Sequence, residues 1–173
     1  MDHTKVYFIS ESFAKNNNYI NENISWETIS KEIPKMALLK IKPFLGGCFF
    51  DELLEKYNDR TLNDDERKLV DNYIRPALMS FVLYRINYNL SFNLTNKGLQ
   101  SQFGDNSDSN DLATVSYIAG LDFDDANIYL SEMEKYLKKN YILFPTLSEN
   151  STDCGFDLCK TTVKKSSYGI RFI

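Results

Sequence analysis

"LVDNYIRPALMSFVLYRINYNL", residues 69–90, decides how this chain folds. Leu69, Tyr73, Ala77 and Phe81 recur at four-residue spacing. Val70, Ile74, Leu78, Val82, Ile86 and Leu90 repeat the period one position on. Two adjoining stripes of this kind specify a helix that must be covered round a wide part of its circumference. It is the expected centre of the fold. Pro76 lies within it; a proline has no N–H to donate and crowds the carbonyl four residues back, so a bend with roughly coaxial halves is expected. Asn63 followed by Asp64, Asp65 and Glu66 marks the start, a side-chain acceptor and then negative charge at the positive end of the helix dipole.

Downstream, a second long helix is expected from near Asn110 or Asp111. Leu112, Val115, Ala119, Phe123, Ala126, Leu130, Met133 and Leu137 step along it by threes and fours, nearly a heptad seam. It predicts a rod of roughly 42 Å at about 1.5 Å per residue. Lys135, Lys138 and Lys139 gather at its end, and "FPTLSENS" (144–151) stops it. Upstream, Ser25 caps a helix carrying Trp26, Ile29, Ile33, Met36 or Ala37, and Ile41 on one face, with a kink or break expected at Pro34. "KPFLGG" (42–47) ends that segment in a reversal. A short helix follows, presenting Phe49, Phe50, Leu53, Leu54 and Tyr57. The fold class is mainly α: an antiparallel helical bundle of two long helices with shorter helices crossing them, room for one small β-hairpin, and an extended C-terminal tail. The chain divides into an N-terminal arm (1–24), a helical body (25–145) and a tail (146–173).

The 173 residues are 43% hydrophobic and 14% aromatic, enough for a single domain with a substantial core. The net charge of −4 offers no broad basic field, which argues against a dedicated nucleic-acid binder. It suits a protein that stands beside DNA without holding it. No basic-then-apolar leader opens the chain and no apolar run approaches a membrane span. Cys48, Cys154 and Cys159 cannot all pair with one another and are expected to be reduced thiols.

Chemistry is hard to find. The only histidine, His3, lies at the terminus, which disfavours a His-based triad or a two-His metal site. Cys154 and Cys159 form at best half of a zinc set. Asp64, Asp65 and Glu66 read as a helix start, and Asp122, Asp124 and Asp125 as solvated neighbours of a core phenylalanine. "LTNKGLQ" (94–100) has no strand-to-helix phosphate loop around it, and "FLGG" (44–47) lacks the flanks of a dinucleotide fingerprint. The expectation is therefore no catalytic, cofactor-binding or metal-ligating residue, and no enzyme.

Four stretches in order carry a resemblance: "ISESFAKNNNYINENI" (9–24), "KPFLGG" with "LLEKY" (42–57), "LVDNYIRPALMSFVLYRI" (69–86) and "FNLTNKGLQSQ" (92–102). Together they resemble small head–tail connector proteins of tailed bacteriophages, closest to the adaptor or neck-ring proteins of crAss-like Bacteroides phages. The similarity covers about residues 7–145; Pro34 departs from it, and the tail after Asn150 does not match. It implies a virion subunit, made in the host cytoplasm, that forms a ring of about twelve copies below the portal protein. Such a ring extends the DNA channel and passes DNA without specific binding. It also carries further neck or tail proteins and uses no cofactor.

A head-to-tail ring needs two different complementary patches on each subunit. The first candidate is the segment 92–103, where Phe92, Leu94, Leu99 and Phe103 alternate with polar residues around Asn96, Lys97 and Gly98. An extended stretch of this type can add to a neighbour's strand or line the channel mouth. The second is the carboxyl end, "SSYGIRFI", with Tyr168, Ile170, Arg171, Phe172 and Ile173 expected to dock on the portal or a neighbouring ring. The competing reading is a small helical protein–protein interaction module with no ring assembly.

Overall fold

The structure, a computed structural model, describes residues 5–17, 19, 25–90, 92–95, 98–101 and 112–148; for 88–90, 92–95, 98–101, 112–116, 118 and 148 it describes the backbone alone. The fold is mainly α. Its helices are α1 (Glu11–Asn16), α2 (Trp26–Met36), α3 (Lys42–Leu45), α4 (Gly47–Asp59), α5 (Asp64–Leu69), α6 (Arg75–Leu90), α7 (Leu112–Lys139) and α8 (Pro145–Ser148). Between α6 and α7 run strands β1 (Phe92–Thr95) and β2 (Gly98–Ser101).

Two five-residue π-helical segments join what would otherwise be separate helices: Ala37–Ile41 links α2 to α3, and Val70–Ile74 links α5 to α6. Each ends two residues before a proline, Pro43 in one case and Pro76 in the other. A proline ring collides with the carbonyl four positions back, here that of Leu39 or Asn72, and both residues lie inside the widened turn. Opening the ladder there makes room for the ring, so the helix passes the proline instead of stopping. Pro34, where a kink or break was expected, sits inside continuous α2. The reversal comes at Gly46, whose φ of 81° suits a residue without a Cβ.

The start signals do what their chemistry allows. Ser25 accepts from the Thr28 amide and begins α2. Asn63 accepts from the amides of Asp65 and Glu66, while the Glu66 carboxylate accepts from the Asn63 amide at 2.9 Å, a reciprocal capping box. The other oxygen of that carboxylate accepts from Lys56 at 2.6 Å, which ties α5 to α4.

α6 is the centre. Ile74, Ala77, Leu78, Met79, Phe81, Val82 and Ile86 are all buried, together with Leu69 and Val70 before them. α7 packs along it in the opposite direction: Tyr73 stacks on Tyr136 at 5.0 Å, Phe81 meets Phe123 edge-on, and Asn87 reaches Asp122. α2 lies on another side of α6, and α4 closes the core with Phe49, Phe50, Leu53 and Leu54.

Residues read from the sequence as an extended arm enter this core. Phe8 and Ile9 are buried, and α1 follows behind a Ser10 cap. Phe8 has a φ of 61°, a conformation that a bulky residue adopts only when its surroundings impose it. Its ring meets Phe50 and Tyr57, and its carbonyl accepts from Arg75 Nε at 2.7 Å. Cys48 is disulfide-bonded, which corrects the reading of three reduced thiols at that position; Cys154 and Cys159 lie outside the described residues.

Candidate functional site

β1 and β2 pair antiparallel, Phe92 opposite Ser101, Asn93 opposite Gln100, Leu94 opposite Leu99 and Thr95 opposite Gly98. Among the described residues this sheet has two strands and so two outer edges, and a ladder edge presents N–H and C=O groups to whatever approaches. Of the interface residues named from the sequence, Phe92 and Leu94 fall on β1, and Gly98 and Leu99 on β2. Asn96, Lys97 and Phe103 lie outside the described residues, as do Tyr168, Ile170, Arg171, Phe172 and Ile173.

α7 carries a second surface that the sequence reading passed over. Ala119, Ala126, Leu130, Met133 and Leu137 are buried on its inner face. Tyr117, Leu121 and Ile128 repeat by four and seven on the diametrically opposite side and are 68%, 48% and 60% exposed. Asp124 belongs to the same outer stripe and is exposed. At about 100° per residue these four residues make one narrow band along the helix. The signal was available: a second apolar repeat offset by half a turn from the core seam. The stronger inner heptad masked it.

Past the end of α7, Tyr141, Ile142 and Leu143 form a short 3₁₀ turn with all three side chains exposed. From Ile128 to Tyr141 is about 20 Å of helix at 1.5 Å per residue, so the two apolar patches are well separated. Leu38 and Leu39, in the first π segment, are exposed as well.

Asp122 is not the solvated carboxylate expected of it. It is half-buried against α6, and its Oδ2 accepts from Asn87 Nδ2 at 2.7 Å. Burial raises its pKa, the Asn87 hydrogen bond opposes that rise, and the nearby Asp125 charge adds to it. Glu66, from the other acidic group, is consumed by its cap and by Lys56. Among the described residues no three His, Cys, Asp or Glu side chains lie close enough to hold a metal ion.

The model of a family described as a family of unknown function, DUF6712, matches residues 41–156, two-thirds of the chain. The chain belongs to that family. No curated protein and no solved structure matches it. The part shared with DUF6712 runs from the end of the first π segment through α6, the hairpin and α7. It thus includes the two-stripe central helix and the exposed band. The arm bearing Phe8, and α2, precede it.

Proposed function

We propose that this DUF6712 chain is a virion structural subunit, a head–tail connector that oligomerises into a ring below the portal, extends the DNA channel and joins head to tail. The observation that carries the reading is the outer face of α7. Tyr117, Leu121 and Ile128 stand in solvent along a helix whose opposite side is already buried in the subunit core. Apolar area in such a band gains about 25 cal/mol per Å² when covered, so a partner surface is the natural occupant. The separate Tyr141–Leu143 patch supplies the second, different surface that a head-to-tail interface needs. The hairpin edges add a further means of pairing between copies. The net charge of −4 is compatible with a conduit that must not retain phosphates. The resemblance of the four quoted stretches to neck-ring proteins points the same way.

In the assembled ring, residues 92–103 lie against the adjacent subunit or at the channel mouth, and 167–173 dock on the portal or a neighbouring ring. The test is native mass spectrometry and negative-stain microscopy of the purified chain, alone and with the portal protein encoded in the same genome. A closed ring with an axial opening, formed alone or on the portal, is expected. A monomer or sharp dimer with no affinity for portal would replace this reading with that of a helical interaction module.

A further inference from the structure

A cavity of about 200 Å³ opens where α4 hands over to α5, lined by Tyr57, Arg60, Leu62, Arg67, Asp71 and Arg75. Three arginines, of which Arg60 and Arg67 are exposed, and one aspartate line it, in a chain whose net charge is −4. The three arginines are not equivalent. Arg75 is committed: Nε donates to the Phe8 carbonyl, Nη1 to Asp71 and Nη2 to the Tyr57 hydroxyl, and its plane lies over the rings of Phe13 and Tyr57. Asp71 is thereby answered by Arg75. Arg67 makes only a long contact, 3.5 Å, to the Leu62 carbonyl, and among the described residues neither it nor Arg60 meets a carboxylate. Arg60 also occupies the C-cap of α4 with φ 59° and ψ 31°, a left-handed position where glycine is the favoured residue. The chain thus places a long cation at the rim of the cavity against its backbone preference.

We propose that this cavity binds one compact oxyanion, a carboxylate or phosphate group, held between the Arg60 and Arg67 forks. A guanidinium presents parallel N–H donors that match the two oxygens of such a group, and Arg60 and Arg67 line the opening with no carboxylate partner among the described residues. The Tyr57 hydroxyl accepts from Arg75, which leaves its own hydrogen available to donate. Arg75 acts as a positioning residue that fixes this tyrosine. The cavity admits one such group, not a base with its sugar. A nucleic-acid strand would require a track of cations that an acidic surface does not provide. The inference stands whether or not the chain forms rings.

The test follows arginine Nε–Hε resonances of the ¹⁵N-labelled full chain at constant ionic strength. Inorganic phosphate, glutarate and an oligothymidylate are titrated separately. Saturable shifts at Arg60 and Arg67, with Arg75 unmoved, are expected for phosphate, for glutarate or for both; the tighter of the two tells which group the site prefers. Arg60→Gly is expected to melt no lower than the parent, because glycine suits that backbone, yet to bind about tenfold more weakly. Arg67→Gln should do the same from the other side. The proposal is overturned by three results: absence of saturation with both small anions, unchanged affinity in the Arg60→Gly/Arg67→Gln double variant, or an oligothymidylate that binds more tightly than phosphate through the same two arginines.

Discussion

Arg75 donates to a carbonyl 67 positions earlier, pairs with Asp71 one turn behind it and holds the Tyr57 hydroxyl, so four separate segments depend on one half-buried side chain. Replacing it with leucine removes charge-assisted bonds and leaves the Phe8 carbonyl, in a strained backbone, without its donor. Arg75→Leu should lower stability in urea by about 2–3 kcal/mol. Amide exchange should accelerate first in residues 8–16. A variant as stable as the parent would mean that the arm is held by Phe8 packing alone. Asp122 gives a prediction of the opposite sign. Its folded pKa is raised above the ordinary 3.8, chiefly by burial. Between the unfolded and folded values the native state holds more protons, so its contribution is most favourable below 3.8 and is lost as pH rises through the folded value. Asp122→Asn keeps an acceptor for Asn87 and removes the buried charge. It should melt higher than the parent at pH 7, with the gap closing on acidification; a gap that widens toward acid would refute the assignment. Neither residue could be read correctly from sequence. Arg75 stands beside Pro76 in what looks like a helix face, and Asp122 differs from Asp124 only in facing α6, which a sequence without coordinates does not specify.

Pro43 and Pro76 each follow a π segment at the same offset, and the extra residue in each widened turn is what lets the helix continue. If the proline ring is the reason for the widening, the two features should be coupled. Deleting Asn72, which is exposed, returns the Val70–Ile74 turn to α geometry and drives the Pro76 ring into a carbonyl, at a cost of about 3 kcal/mol. Adding Pro76→Ala to that deletion removes the collision, and much of the loss should return. A thermodynamic cycle by chemical denaturation measures the coupling. Additive losses would show that packing of Leu69, Val70 and Ile74 dictates the π turn instead. The stripes of α6, the Ser25 and Asn63 caps and the length of α7 were legible because they rest on local period and local hydrogen bonding. The π turns were not: Pro76 was expected to bend a continuing helix and Pro43 to help end one, with no widened turn before either. A proline reads locally as a stop, and only tertiary packing on both sides makes it favourable for the ladder to open and the helix to go on.

At the scale of the whole molecule, the outer face of α7 separates a ring from a dimer through how a damaged copy behaves in a mixture. Leu121→Asp with Ile128→Asp places two charges on a band that is already in solvent, so the folded subunit should survive. On the proposed ring, only one of two assembly patches is spoiled. In a head-to-tail ring such a copy still offers its intact patch to a normal neighbour but cannot continue the chain beyond itself. It becomes a terminator. Mixed with the parent at increasing fractions, it should reduce closed rings far more steeply than its share of the protein, because every copy in a ring must be sound. The mass distribution should fill with short open arcs. In a two-fold dimer both partners use the same patch, so the damaged copy is simply excluded and parent dimers fall only in step with dilution. Native mass spectra of the mixtures distinguish the two shapes without knowledge of the final copy number. A linear decline would locate the band in an isologous contact, and an unaffected assembly would remove α7 from the interface altogether. The β1–β2 edges and the Tyr141–Leu143 turn would then be the remaining candidate surfaces for the proposed contact between copies.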